Sequence, residues 1–236
     1  MPTCQSTNEV ATDLIAHSSV FEGCVIITSQ QTAGKGQRGN RWEANPDQNL
    51  TFSLILQPDF LSPEYQFQLN VAVSLAVYDV LSVFLGSELK VKWSNDIYYR
   101  NQKLGGILIE NILQGNRIKY SVVGIGLNVN QTEFSYSKAN SLANLTNKKY
   151  DLQVLLPQIL ESLEVRYLKL RQNHYSQMKS EYLQNLYWYQ EKHTFLDVDN
   201  QAFTGEIIGI DAIGKLAVAV EKKIKYFNFK EIVFVE

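Results

Sequence analysis

The sequence predicts an α+β protein: a mixed β-sheet packed by helices, followed by a small all-β module. Three observations carry this. Segments with helical periodicity are interspersed with apolar strand runs in the first four-fifths of the chain. Between residues 89 and 128, consecutive strand-like runs are separated by very short turns, which favours antiparallel or mixed pairing. From residue 194 onward only short strand-like runs and turn residues remain.

Each element has a local reason. Ser6-Thr7-Asn8-Glu9 has the form of a capping box, and Val10, Ala11, Leu14 and Ile15 continue as a helical stripe. Residues 24–28 (CVIIT) and 50–56 (LTFSLIL) read as buried strands. Ser62-Pro63 opens a helix with proline in its first turn, running to about residue 85 and stopped by Gly86. Strands are expected over 89–93, 97–99, 104–111 and 119–128, with turns at Ser94-Asn95-Asp96, Asn101-Gln102 and Gly115-Asn116. Residues 130–147 are polar and read as a surface loop; helices are expected over 152–171 and 175–190. Short strands over 194–198, 202–210, 215–220, 224–229 and 232–235 complete a module with the look of a small barrel. The expected division is therefore residues 1–188 and 189–236.

The chain has 236 residues, 45% of them hydrophobic and 19% charged, enough for one substantial core with a satellite. A net charge of −2 argues against a broad nucleic-acid-binding surface. Cys4 and Cys24 have no metal-ligand spacing and are expected as reduced thiols. The N-terminus lacks the form of a signal peptide. The richest apolar run, residues 71–85, is interrupted by Ser74, Asp79 and Ser82 and falls short of a membrane span. A soluble cytoplasmic protein is expected.

The most informative stretch is Gly34-Lys35-Gly36-Gln37-Arg38-Gly39-Asn40-Arg41-Trp42. Glycines allow a ligand to approach main-chain N–H groups, successive N–H groups form an anion nest, and tryptophan offers a flat face for a ring. The inventory suits a molecule that is part phosphate and part aromatic. Gly34-x-Gly36-x-x-Gly39 also matches the dinucleotide fingerprint, but a proline-containing loop and then a strand follow it, not the helix of a βαβ unit. A P-loop fails because no Gly-Lys-Ser/Thr ends the run. A plain solvent-exposed basic turn stays open on this segment alone. Further on, Lys92-Trp93-Ser94-Asn95-Asp96, Lys103-Leu104-Gly105-Gly106-Ile107 and Gly124-Ile125-Gly126-Leu127-Asn128 each have an ordinary reading as turn, bulge or close-packed strand.

Taken together and in this order, the segments at 34–42, 92–96, 103–110 and 124–130, with Ser6-Thr7-Asn8 and Gln31, resemble the catalytic domain of biotin–protein ligases. The resemblance covers nearly the whole chain. It implies the family's mixed sheet packed by helices, of the class II aminoacyl-tRNA-synthetase and biotin-ligase type, with an SH3-like C-terminal β-barrel. It implies a biotin pocket formed by Ser6, Thr7, Asn8, Gln31, Gly34, Lys35, Gly36, Lys103, Gly105, Gly106 and Gly124. It implies an ATP site formed by Gln37, Arg38, Arg41, Trp42, Lys92, Asn95, Asp96, Ile107 and Asn128, with Lys103, Lys92 and Arg38 as catalytic groups. Mg²⁺ would arrive mainly with ATP, near Asn95 and Asp96. Ser6 is open to both a cap and a ligand role.

The family's loop usually reads Gly-Arg-Gly-Arg-x-Gly-Arg; here Lys35, Gln37 and Asn40 replace arginines, and Gln37 removes a charge that helps the family retain its activated intermediate. Ser94 stands where proline is usual.

The reaction so implied is ATP-dependent formation of biotinyl-5′-AMP, then transfer of biotin to a lysine of a biotin carboxyl carrier domain, as in acetyl-CoA carboxylase. No protein nucleophile is required, and His17, His174 and His193 fall in no site pattern. The competing reading on a related fold is a lipoate- or octanoate-transferring enzyme. A DNA-binding form is not expected, because the Ser-Thr-Asn motif starts at residue 6. Monomer and homodimer are both open.

Overall fold

The computed structural model describes residues 1–235, and of Arg38 the backbone alone. In chain order the elements are β1 (Thr3–Cys4), α1 (Thr7–His17), β2 (Val25–Ile27), β3 (Gln30–Gln31), β4 (Leu50–Leu56), α2 (Phe67–Leu85), β5 (Leu89–Lys92), β6 (Asp96–Tyr99), β7 (Gln102–Gln114), β8 (Arg117–Leu127), α3 (Leu142–Thr146), α4 (Leu152–Arg171) and α5 (Tyr175–Gln184). They are followed by β9 (Lys192–Leu196), β10 (Ala202–Ile210), β11 (Leu216–Val220), β12 (Lys223–Phe227) and β13 (Val233–Phe234). Six strands form the main sheet in the order β2-β4-β8-β7-β6-β5, all pairs antiparallel. The only parallel strand pair among the described residues is the short β1–β3.

Because strand side chains alternate between faces, the antiparallel registers sort the sheet into two surfaces. One cross-strand row reads Leu50, Leu127, Gly105, Ile97 and Val91; the next on that face reads Phe52, Ile125 and Ile107. These apolar rows join the main core with α2, α4 and α5. The opposite face carries Thr51, Gly126, Gly106, Asp96 and Lys92 in one row, and Ser53, Gly124 and Leu108 in the next. Helix α1 covers part of that face through Ala11, Val10 and Ile15, packed on Ile26, Ile55 and Val122.

Pro63–Glu88 is long and apolar enough to cross a membrane by length and composition, against the expectation from its three polar interruptions. Here Leu69, Val71–Val77 and Leu81 are buried in the core, so it serves as the central helix. Gly86 ends it at φ 66°, a left-handed value suited to glycine.

Three expectations change. Residues 130–147 contain the short helix α3, capped by Ser141, whose side chain accepts from the Asn144 N–H. The helix from 175 stops at Gln184 rather than 190, because 185–187 pairs with the edge strand β5: Val91 N–H donates to Asn185 O (2.9 Å) and Tyr187 N–H to Val91 O (2.9 Å). The last five strands form an antiparallel sheet in the order β12-β11-β10-β9-β13, and among the described residues its edges β12 and β13 do not pair, so it is an open sheet rather than a closed barrel. That sheet shares the main core through Phe195, Ile207, Leu216, Val218 and Phe227. The Trp93 Nε1–H donates to Gly214 O at 2.9 Å across the two sheets.

The helical layer is tied by one buried cation. Arg166 of α4 makes a two-pronged bond to Asp79 of α2 (2.7 and 2.8 Å) and a further bond to Glu181 of α5. Its side chain is 10% exposed, whereas Asp79 and Glu181 keep 38% and 29%. Removing the guanidinium leaves two carboxylates facing each other. Arg166→Ala should cost roughly 2–3 kcal/mol, less than a fully buried pair because both acids still meet water. Urea denaturation at neutral pH checks this; a loss below about 0.5 kcal/mol would show the triad to be ornamental.

Candidate functional site

The small, polar face of the main sheet is the floor of a cleft of about 610 Å³. Its floor is low because glycines stand where larger residues would fill it. A Cβ on Gly126 would lie 2.4 Å from the Trp42 ring, and one on Gly124 would lie 2.4 Å from Asn8 Oδ1. The indole of Trp42 and the amide of Asn8 thus rest directly on the backbone of β8. Gly106, opposite Gly126 in register, opens the floor toward Lys103 and Asp96.

One part of the cleft is neutral and polar. Ser6, Thr7 and Asn8, at the start of α1, are each 3% exposed and line it with Gln31. Ser6 has the extended backbone of an N-cap, but its side chain makes no cap bond. The capping box does not close: the Glu9 carboxylate instead meets the Lys35 ammonium at 2.6 Å. This partner raises the Lys35 pKa, through the hydrogen bond first and Coulomb attraction to Glu9 and Glu110 after it. Thr7 N–H donates to Gln31 Oε1 (2.7 Å), and the Thr7 hydroxyl lies 3.1 Å from the same oxygen.

The glycine segment folds as a tight hairpin over this end. Lys35 and Arg41 bridge in antiparallel fashion, Trp42 N–H donates to Gly34 O (2.9 Å) and Gly36 N–H to Asn40 O (2.7 Å). A 3₁₀ turn, Gln37–Gly39, forms the tip, with Gly39 at φ 87°. The N–H groups of Gly36, Asn40 and Trp42 are therefore spent on the hairpin and do not form an open nest. Lys35, Gly36, Gln37, Asn40, Arg41 and Trp42 all line the cleft. The side chain of Arg38 lies outside the described residues.

The other part is cationic. Lys103 pairs with Asp96 at 2.7 Å, both side chains about one-quarter exposed (26% and 25%). The Lys103 ammonium also lies 5.9 Å from the Trp42 ring. Lys92 sits among the rings of Tyr98 (4.5 Å), Phe234 (4.9 Å) and Tyr187 (5.7 Å). Asn95 is fixed by a bond from its Nδ2 to Ile107 O and by the return bond from Ile107 N–H (2.9 Å). Ser94 follows a cis peptide, and its hydroxyl reaches Asn95 Oδ1 at 3.1 Å. Among the described residues of the lining, Lys35, Arg41, Lys92, Lys103, Lys138 and Lys230 are basic and Asp96 is acidic. The Trp42 Nε1–H is buried against β8 without a hydrogen-bond partner among the described residues.

Most residues singled out from the sequence meet in this one cleft. Gly34, Gly105 and Asn128 do not line it. Gly34 packs under Trp42 O, Gly105 faces Gly126 O across the strands, and Asn128 is buried with Nδ2 donating to Asn140 O (3.0 Å). The reading from sequence missed Thr51, Tyr136, Lys138, Phe229, Lys230 and Ile232–Phe234, which all line the cleft. Thr51 and Ser53 had a signal: two polar residues two apart in an otherwise apolar strand mark one face of it. The C-terminal segment had none, since it reaches the cleft only by packing.

Residues 1–128 match the model of the biotin/lipoate A/B protein ligase family. The bifunctional ligase/repressor BirA of Bacillus subtilis is 28% identical over 228 residues, 93% of this chain and 68% of that protein. The biotin–[acetyl-CoA-carboxylase] ligase of Mycobacterium tuberculosis is 31% identical over 172 residues, covering 70% of this chain and 63% of the other. Among solved structures, the biotin protein ligase of Aquifex aeolicus in complex with biotin and ATP superposes with a TM-score of 0.82 at 25% identity, over 100% of this chain and 97% of that one.

The seat of Trp42 is directly testable. Gly126→Ala should push the indole off β8 and red-shift the tryptophan emission, or else cost about 1–3 kcal/mol by overpacking. An unchanged spectrum with an unchanged melting temperature would mean that the ring does not rest there.

Proposed function

The chain belongs to the biotin/lipoate A/B protein ligase family, and we propose that within it this cleft makes biotinyl-5′-AMP from biotin and ATP and delivers biotin to a carrier lysine. The observation that carries the reading is the pairing of two adjacent rows on one sheet face. The Ser53–Gly124–Leu108 row lies under the neutral Asn8 amide, and the Thr51–Gly126–Gly106–Asp96–Lys92 row lies under Trp42 and beside Lys103. The rows are about 7 Å apart, two strand residues. A molecule with a neutral hydrogen-bonding head and an anionic tail on a short apolar chain spans them. Lipoate carries no such head to meet the polar end formed by Ser6, Thr7, Asn8 and Gln31. The relatives named as biotin ligases support the same choice.

In the first step a carboxylate oxygen of biotin attacks the α-phosphorus of ATP, and the electron pair of the breaking P–O bond leaves with pyrophosphate. Lys103 stands beside Asp96, Gly106 and the Trp42 ring, where the reacting carboxylate and α-phosphate would meet. Its ammonium can exchange Asp96 for that developing negative charge. Lys35 and Arg41 on the hairpin, with Gln37 between them, hold the anionic part, and the Trp42 face takes the adenine ring. Lys92, held by its aromatic neighbours, serves the polyphosphate. Mg²⁺ suits a site of this chemistry, one carboxylate (Asp96) beside carboxamide oxygen (Asn95), because it keeps several waters and shares phosphate oxygens. When bound it would shield the polyphosphate charge.

In the second step the amine of the acceptor lysine attacks the mixed anhydride, AMP leaves with its electron pair, and the amine proton passes to solvent. Positioning and fixed charge supply the rate, and no protein nucleophile takes part. The acceptor is a biotin carboxyl carrier domain, and the enzyme works in the cytoplasm. Residues 1–188 carry the catalytic groups, and the unit 189–236 adds the wall formed by Phe229–Phe234.

Transfer of labelled biotin to an apo carrier domain, with lipoate as competing acid, tests the reading. Label should appear only with ATP and should resist excess lipoate; label without ATP, or lipoate in its place, overturns it. Lys103→Ala should lower adenylate formation by roughly 10²–10³-fold, followed as pyrophosphate release. Adenylation at the wild-type rate in that variant would remove Lys103 from the chemistry.

A further inference from the structure

Two residues outside the cleft control what its neutral end presents. Neither Ser53 nor Glu110 lines the cavity, yet both touch Asn8, which does. Asn8 Nδ2 donates to Glu110 Oε2 at 2.6 Å and lies 3.4 Å from Leu108 O, while Asn8 Oδ1 receives the Ser53 hydroxyl at 2.6 Å. These contacts fix which end of the amide is nitrogen. Turned over, the amide would set its oxygen against the Glu110 carboxylate, an acceptor against an acceptor. Ser53 is fully buried and also lies 2.7 Å from Thr7 Oγ1. With the Ser53 proton on Asn8 Oδ1, the Thr7 hydroxyl donates to Ser53 Oγ, and Thr7 fixes Gln31 through its N–H to Oε1, leaving Nε2 to donate elsewhere. Gly124 leaves the Asn8 amide room that a Cβ would take.

We propose that Ser53 and Glu110 are positioning residues that lock the Asn8 amide, and through Thr7 the Gln31 amide, so that the cleft offers an acceptor oxygen and a donor nitrogen together. That pair is complementary to a head group bearing both N–H and C=O, a cyclic urea, and to no purely apolar ring. The inference rests on the proposed function but adds specificity determinants beyond the residues that contact the acid. Glu110 is the outer clamp, on a sheet position with solvent access, so its replacement leaves the core untouched.

Steady-state adenylation with biotin and ATP varied separately tests it. Glu110→Ala and Ser53→Ala should each raise KM for biotin about tenfold, with KM for ATP within about twofold, because one hydrogen-bond partner of Asn8, part-buried for Glu110 and buried for Ser53, is lost at the head group alone. Glu110→Gln keeps an oxygen to accept from Asn8 and should recover most of the lost affinity. Ser53→Ala should also narrow the preference for biotin over lipoate. Biotin KM values within twofold of wild type in both alanine variants would overturn the proposal while the ligase reading stands. So would a parallel rise in both KM values, which marks general loosening of the fold. A wild-type chain that adenylates no biotin would overturn the function itself, and this inference with it.

Discussion

The two-residue period of β4, β7 and β8 is the constraint on which everything else depends. Register fixes one apolar row, Leu50–Leu127–Gly105–Ile97–Val91, against one small and charged row, Thr51–Gly126–Gly106–Asp96–Lys92. A slip of one residue in β8 would exchange Gly126 for Leu127 and Gly124 for Ile125, closing the cleft and opening a hole in the core at once. Stability and function are thus enforced by the same hydrogen-bond ladder. The core on the far face, with α2 pinned to α4 and α5, keeps the register; the register keeps the floor low.

On that floor the charges are arranged as exchangeable pairs. Lys103 is held by Asp96 at about one-quarter exposure and Lys35 by Glu9 at the surface. The exposed Lys35–Glu9 pair is worth about 0–1 kcal/mol, so a ligand carboxylate or phosphate can take over Lys35 at little cost, and at Lys103 the incoming charge replaces that of Asp96. Each pair meanwhile holds its lysine within reach of the cleft. The contrast with Arg166 is instructive: there a two-pronged, buried cation fastens three helices and has no access to the cleft.

The sequence made the strands of the main sheet legible because each is long or bounded by turn residues, and 50–56 and 152–171 agree with the structure to the residue. It misplaced what tertiary contact decides. The last turn of the helix from 175 lost to pairing on the β5 edge, and the cap at Ser6 lost to an ion pair between Glu9 and a loop 26 residues away. The glycines of the cleft were visible as residues, but their individual duties were not: Gly124 and Gly126 seat two side chains, whereas Gly105 lies on the apolar face. Ser53 and Glu110 had signals of face and segment, but not of role, since they act on the cleft only through Asn8.

The C-terminal sheet explains how a chain of net charge −2 can present a strongly cationic cavity. Its core residues merge with the main core, and Trp93 is bonded to Gly214, so the segment from Phe229 to Phe234 is carried against the mouth of the cleft. There Phe234 covers Lys92 with an aromatic ring and Lys230 adds a cation. Walls of low polarisability strengthen the field of the basic side chains that line the cleft, among which the described lining has one carboxylate, Asp96. An anionic nucleotide is therefore drawn to one place on an otherwise mildly acidic surface. The small sheet does this with apolar surface, not with catalytic groups, which is why no motif in it announces the role.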